Sequence, residues 1–344
     1  MQPKQPMPIT RRAVLAAALA IPALAPPALA PSALAQAPGA PAIVARFPNR
    51  PLRLVVPYPP GGATDAVGRL TGKLLSDRLG QQVVIENRGG AGGNLGADLA
   101  AHADPDGYTL LINTTSAVAM GPHLYHHLGY DPMRDLVGVA QGCHVCNAVI
   151  ARADLPANTL AEALDLARRE PGLTYGSSGN GTSGHLIAEY LNFKAGVKMQ
   201  HVPYRGTAPL LTDLLAGRLD LTNDNLPAYL PAIRAGQLKL LAVTSETRWF
   251  AAPEAPTVAE AANLPGFAAL VWWGLQVPAG VPDAIVAHLS DAMVQGYSSP
   301  EALERLHVLG MEPAPLATAA FRARIAADYD IWGEVVRNAG IKLD

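Results

Sequence analysis

The chain is short of charge, of cysteine and of long apolar runs, and each shortage excludes a class of protein. Charged residues make up only 16% of 344. No block of lysines or arginines with interleaved aromatics occurs, so the electrostatic footprint of a nucleic-acid binder is missing and no such partner is expected. The only cysteines are Cys143 and Cys146. Their spacing in Cys143-His144-Val145-Cys146 suits redox or metal chemistry, but residues three apart on an extended strand point to opposite faces. No second close Cys or His pair completes a zinc site. They are read as packing residues, and neither a metal nor a cofactor is expected. The one long apolar run is Ala13–Ala35, which follows Lys4, Arg11 and Arg12 and is broken by Pro22, Pro26, Pro27 and Pro31. Those prolines oppose a membrane-spanning helix.

That run reads instead as an export signal. Ala33-Leu34-Ala35 has the small-x-small pattern of a cleavage site, so residues 1–35 are expected to be removed before Gln36. Arg11-Arg12 resembles a twin-arginine signal, although Sec leaders are also basic, and the export route stays open. Losing the leader removes three of the 26 basic residues and none of the 28 acidic ones, leaving 23 against 28, a formal charge of −5.

The remaining length suffices for two domains of ordinary size. Residues 36–51 are rich in proline and alanine and read as a linker. Beyond them, strands at Leu52–Val56, Val83–Glu86 and Tyr108–Asn113 alternate with helices near Asp65–Leu79 and Leu95–His102, the βαβ rhythm of a parallel sheet. A second series starts after Val137–Ile150. It places helices at Thr159–Arg169, Ser183–Ala195 and Pro209–Ala216, and strands at Thr174–Gly176, Gln200–Val202, Leu219–Thr222 and Leu238–Thr244. The strand Leu270–Val277 then precedes helices at Pro282–Gln295, Pro300–Leu309 and Thr318–Asn338. The expected fold is therefore α/β and two-lobed, each lobe a mainly parallel sheet flanked by helices around its own core. Two crossover strands, near Leu136–Val149 and Leu270–Val277, would join residues 52–142 plus 273–344 as lobe 1 to residues 143–272 as lobe 2.

Chemistry concentrates where strands run into helices. Leu54–Val56 leads through Pro57-Tyr58-Pro59-Pro60-Gly61-Gly62 into a helix, and Thr174–Gly176 leads through Ser177–Thr182 into another. Thr109–Asn113 followed by Thr114-Thr115-Ser116 is a milder third case. Helix starts carry unpaired N–H groups and a partial positive charge, so such bends hold an anion without lysine or arginine. Two of them in two halves suggest a clamp around a small anion.

These features together resemble the receptors of tripartite tricarboxylate transporters, often called Bug receptors. The resemblance rests on Val56–Gly62 with Asp65, on Glu86–Gly96, Pro105–Leu110 and Tyr130-Asp131-Pro132, and in the second half on Tyr175–Gly179, His201–Gly206, Leu241–Ser245 with Arg248, Pro256-Thr257 and Trp273–Gly280. It implies a type II periplasmic-binding-protein fold, a periplasmic location, and a monomer that closes over a small organic carboxylate and delivers it to membrane permease subunits. It further implies that Pro60, Gly61 and Gly62 face the Ser177–Ser183 turn, with amides and hydroxyls receiving carboxylates partly through water.

The ligand-binding candidates are thus Tyr58, Pro60, Gly61, Gly62, Thr64, Thr115, Ser116, Ser177, Ser178, Thr182, Ser183, Tyr204 and Asp224. Each has a plainer reading as a helix cap or a packed side chain. Asp65 would repel an anion in contact and is read as organising its loop. Asp224 suits a ligand hydroxyl or ammonium group, and strand alternation lets at most one of Trp272 and Trp273 line the cleft. The Gly176–Ser183 loop comes close to a Walker A loop but has Thr182 where lysine belongs, which opposes nucleotide hydrolysis. The alternative function is an exported enzyme on the same scaffold, using His185 or the cysteines.

Overall fold

One long strand organises the fold. The computed structural model describes residues 47–340 apart from His126 and Pro171. The expected signal peptide, its cleavage before Gln36 and most of the 36–51 linker lie outside the described residues. Leu52-Arg53-Leu54-Val55-Val56 forms β1, almost wholly buried because it lies between two neighbours and under helices. Its neighbours β2 (Val83–Asn87) and β3 (Thr109–Thr114) run parallel to it. Parallel neighbours need crossovers, and α1 (Ala63–Leu79) and α2 (Asn94–Ala101) supply them. A Cβ at Gly68 of α1 would come within 2.6 Å of Val56, and one at Gly72 within 2.8 Å of Ile85. The helix therefore beds directly on the sheet.

The organising strand is β4 (Leu136–Arg152). Its first part, Leu136–Cys146, pairs antiparallel with β9 (Leu270–Pro278). Its end, Asn147–Arg152, pairs with β7 (Leu221–Asn225) and β8 (Leu238–Val243). Beyond β7 lie β5 (Thr174–Ser177) and β6 (Gln200–Pro203), both parallel. The strand order is β2-β1-β3-β9-β4-β7-β5-β6, parallel at its outer pairs and antiparallel wherever β4 or β9 takes part. In the second half, α3 (Leu160–Arg169), α4 (Ser183–Ala195), α5 (Thr207–Leu215) and the short α6 (Leu230–Arg234) and α7 (Val258–Ala261) connect the strands. In the first half, α8 (Asp283–Tyr297), α9 (Pro300–Val308) and α10 (Thr318–Ala339) follow β9.

A separate core for each half does not form. One apolar cluster runs from Leu54 and Ile112 through Val145, Ala148 and Ile150 to Leu186 and Leu221. The reason is β4 itself, whose buried apolar residues on both sides of Asn147, Val145 and Cys146 before it and Ala148 to Ala151 after it, belong to the same cluster. The sequence reading also passed over β10 (Glu312–Leu316), which pairs with β4. Its two prolines argue against a strand, yet an edge position leaves their missing N–H groups without consequence.

Candidate functional site

A cavity of about 160 Å³ opens at the carboxyl ends of β1, β3 and β7 and beside the loops that follow β5 and β6. This is the end of an open α/β sheet where ligands bind as a rule. Three helices begin on it. The residues before α1, α4 and α5 are Gly62, Thr182 and Gly206, and none gives its helix a side-chain cap. By contrast, Thr159 and Thr257 close α3 and α7 with complete capping boxes, and Ser299 caps α9. First-turn amides have no acceptor inside their own helix. At the cavity they are left for an anion.

The loop before α1 is built by Asp65. Gly61 N–H donates to Asp65 Oδ2 at 3.0 Å, and Asn87 Nδ2 donates both to Asp65 Oδ1 at 3.0 Å and to the Tyr58 carbonyl at 3.1 Å. Arg69 Nε donates to Oδ2 at 3.0 Å from the outer side. Burial by itself would raise this carboxyl, but Arg69, Gly61 and Asn87 hold it below the usual carboxylate range. Gly61 has φ +90 and spends its amide on Asp65. Gly62 has φ −89, so its glycine answers to open space and not to left-handed backbone, since a Cβ there would meet nothing within 4 Å.

Ten of the thirteen candidates line this one cavity: Tyr58, Pro60, Gly61, Gly62, Thr64, Ser116, Ser178, Thr182, Ser183 and Asp224. Three do not. Thr115 is fully buried, and its Oγ1 accepts from the backbone N–H of Trp272. Ser177 is fully buried, its hydroxyl shared between the Gly179 carbonyl and His201 Nε2. Tyr204 donates its hydroxyl to Asp213 and lines a neighbouring crevice instead. In each case the strand or turn places the side chain on the face away from the cavity, which the residue type alone does not reveal.

The structure adds Thr114, Arg205, Thr207, Asn225 and Trp273. Trp273 lines the cavity while Trp272 donates to Asp328 on the other side of β9. Arg205 and Thr207 belong to the third helix mouth. Its signal was present as Tyr204-Arg205-Gly206-Thr207 after a strand, with Gly206 at φ +108, the same strand–glycine–helix pattern as at Gly61.

Charge is sparse here. Among the described residues, Arg205 and Asp224 are the only charged ones on the wall. Asp224 is occupied by hydroxyls: Thr207 Oγ1 at 2.9 Å and Tyr229 at 3.1 Å on Oδ2, and Ser178 Oγ at 3.4 Å on Oδ1. Burial pushes its carboxyl up, opposed by the Asn225 amide and those three hydroxyls. Burial also raises the Tyr58 hydroxyl to about 12, so it stays a neutral hydrogen-bonding group. Behind the Ser177–Thr182 turn, His185 Nδ1 accepts the Gly181 N–H at 3.2 Å and stacks on His201. Cys143 and Cys146 are free and buried on β4, away from the cavity, and burial pushes both thiols up. Among the described residues no cluster of three or more metal-ligating side chains occurs.

A family model described as the tripartite tricarboxylate transporter family receptor matches residues 67–341. A UPF0065 protein of Pseudomonas sp., encoded between tcbD and tcbE, is 38% identical over 84% of this chain and 86% of its own length. The protein BugT of Bordetella pertussis is 34% identical over 88% of this chain and 94% of its own. Among solved structures, an R. palustris protein with adipate superposes with a TM-score of 0.81 at 36% identity, covering 86% of this chain and 99% of that one. MatC from Rhodopseudomonas palustris with bound malate gives 0.78 at 32% identity, covering 84% and 100%.

Proposed function

Because the chain belongs to the tripartite tricarboxylate transporter receptor family, we propose that it is a periplasmic solute-binding receptor holding a small organic carboxylate in this cavity. The observation that carries the reading is the convergence of three helix starts without side-chain caps on one cavity with few charges. Each supplies backbone donors at the positive end of a helix, and Ser178, Thr182 and Ser183 add hydroxyls. A charge-assisted hydrogen bond of this kind contributes ~1.5–3 kcal/mol. A cavity of about 160 Å³ holds on the order of ten water-sized groups, which suits an acid of roughly that many heavy atoms. Adipate and malate, the acids named with two solved relatives, fall in this range.

Closure is the second part of the proposal. Lobe 1 (residues 52–142 and 273–344) and lobe 2 (143–272) hinge where β4 and β9 pass between them, and ligand contacts to both favour the closed state. The closed monomer then hands its acid to the transporter's membrane subunits. An enzymatic role has less support. Among the described residues the Ser–His hydrogen bond is Ser177 Oγ to His201 Nε2 at 2.7 Å, and that serine is fully buried outside the cavity.

A thermal-shift screen of the mature protein against mono-, di- and tricarboxylates tests the reading. A cognate acid at 100 times its Kd adds ~2.7 kcal/mol, and NMR should recover it unchanged. Absence of any stabilising acid rules out the carboxylate reading, and steady consumption of one replaces the receptor with an enzyme.

A further inference from the structure

We infer that Gly92 is the residue on which the two halves close, a positioning residue for ligand capture that does not line the cavity; the inference rests on the receptor reading above. Gly92 has φ +65 and ψ +15 in the turn between β2 and α2. That turn approaches the Asn180–Gly181 turn of the opposite half so closely that a Cβ on Gly92 would stand 3.2 Å from the Gly181 carbonyl oxygen and 3.3 Å from that of Asn180. Both neighbours are backbone atoms, which cannot swing aside as a flexible side chain would.

Each side of this contact is one bond from the binding wall. The Tyr58 hydroxyl donates to the Gly92 carbonyl at 2.8 Å, and Tyr58 lines the cavity. On the other side, Thr182 follows Gly181 directly, lines the cavity and precedes the first turn of α4. A Cβ at position 92 therefore pushes the two turns apart by a few tenths of an ångström, and a longer side chain by more, and with them the helix mouths that a ligand must reach together. The packing of α10 against α4 also joins the halves, but through side chains such as Tyr190 and Trp332, which can repack.

The backbone strain of replacing a left-handed glycine has a matched control in the same molecule. Gly80, after α1, has φ +65 and ψ +17, and a Cβ there would meet nothing within 4 Å. Asparagine tolerates this conformation better than other non-glycine residues, so Gly92→Asn and Gly80→Asn carry the same local strain and differ only in what they touch; Gly92→Ala and Gly80→Ala form a milder pair should asparagine impair folding. In small-angle scattering of the ligand-free protein, the Gly92 variant should show a larger radius of gyration than wild type, and the Gly80 variant should not. In calorimetry with adipate and malate as probes, the Gly92 variant should bind at least tenfold more weakly through faster dissociation, and the Gly80 variant within twofold of wild type. A scattering curve for the Gly92 variant that superposes on its control, or an unchanged affinity, overturns the inference. If scattering separates the pair while wild type binds neither acid, the closing contact stands and the carboxylate reading falls instead.

Discussion

The indole Nε1 of Trp273 donates to Thr64 Oγ1 at 3.0 Å, tying the middle of β9 to the first turn of α1. The hydroxyl that sits beside the open amides of that helix is thus aimed by a residue more than two hundred positions away. Trp273→Phe keeps an aromatic ring but frees Thr64. Carboxylate affinity should fall ~3- to 10-fold, the worth of about one hydrogen bond. Calorimetry on a variant checked by urea unfolding decides, and an unchanged Kd would reduce the bond to a structural one.

Asp65 offers a sharper test because charge and organisation pull in opposite directions. Removing a carboxylate near an anion site should strengthen binding if its field dominates. Losing the acceptor for Gly61 N–H and Asn87 Nδ2 should weaken it by dissolving the loop. Asp65→Ala is expected to weaken binding at least tenfold, since two part-buried donors lose a charged acceptor, a bond worth ~1.5–3 kcal/mol each. Tighter binding would show that the electrostatic effect wins.

The serines of the second half should separate cleanly. Ser178→Ala and Thr182→Ala, both on the cavity wall, should each cost ~1–3 kcal/mol of affinity. Ser177→Ala should leave affinity within a few-fold but lower stability, because His201 Nε2 loses its hydroxyl partner. A silent Ser178 and Thr182 pair, with Ser177 essential, would invert the assignment.

His185 and His201 stack with ring centroids 4.0 Å apart, and Tyr175, whose hydroxyl donates to Glu189, stacks on His201 from the other side. Burial lowers His185 from 6.5 to about 4, and burial together with His185 lowers His201 to about 3. The unfolded chain therefore takes up these protons first as pH falls. Stability should be full above about pH 6.5 and decline from there toward pH 3–4. The midpoint of thermal unfolding, followed from pH 7 to 4, should fall less steeply in His201→Gln than in wild type. Parallel declines would assign the effect to other groups.

Local chemistry was legible wherever a short stretch fixed it. β1 and α4 occupy the residues that hydrophobic pattern and helix starts assign them, and both glycine–helix bends read from sequence meet at the cavity. So did Asp65, whose loop role follows from its charge and its place in a helical turn. What sequence could not supply was direction and distance. Thr115 and Ser177 have the right chemistry one residue from a wall position, but the helical turn after β3 directs Thr115 inward and the end of β5 does the same to Ser177. Trp273 aims Thr64, and Gly92 meets Gly181, only because β9 returns beside β3 and the two halves come together. A residue type and its local pattern set which hydrogen bonds a segment can make. The long-range pairing of β4 with both halves decides which of them face a ligand, because only the assembled sheet places distant chain segments within a few ångströms.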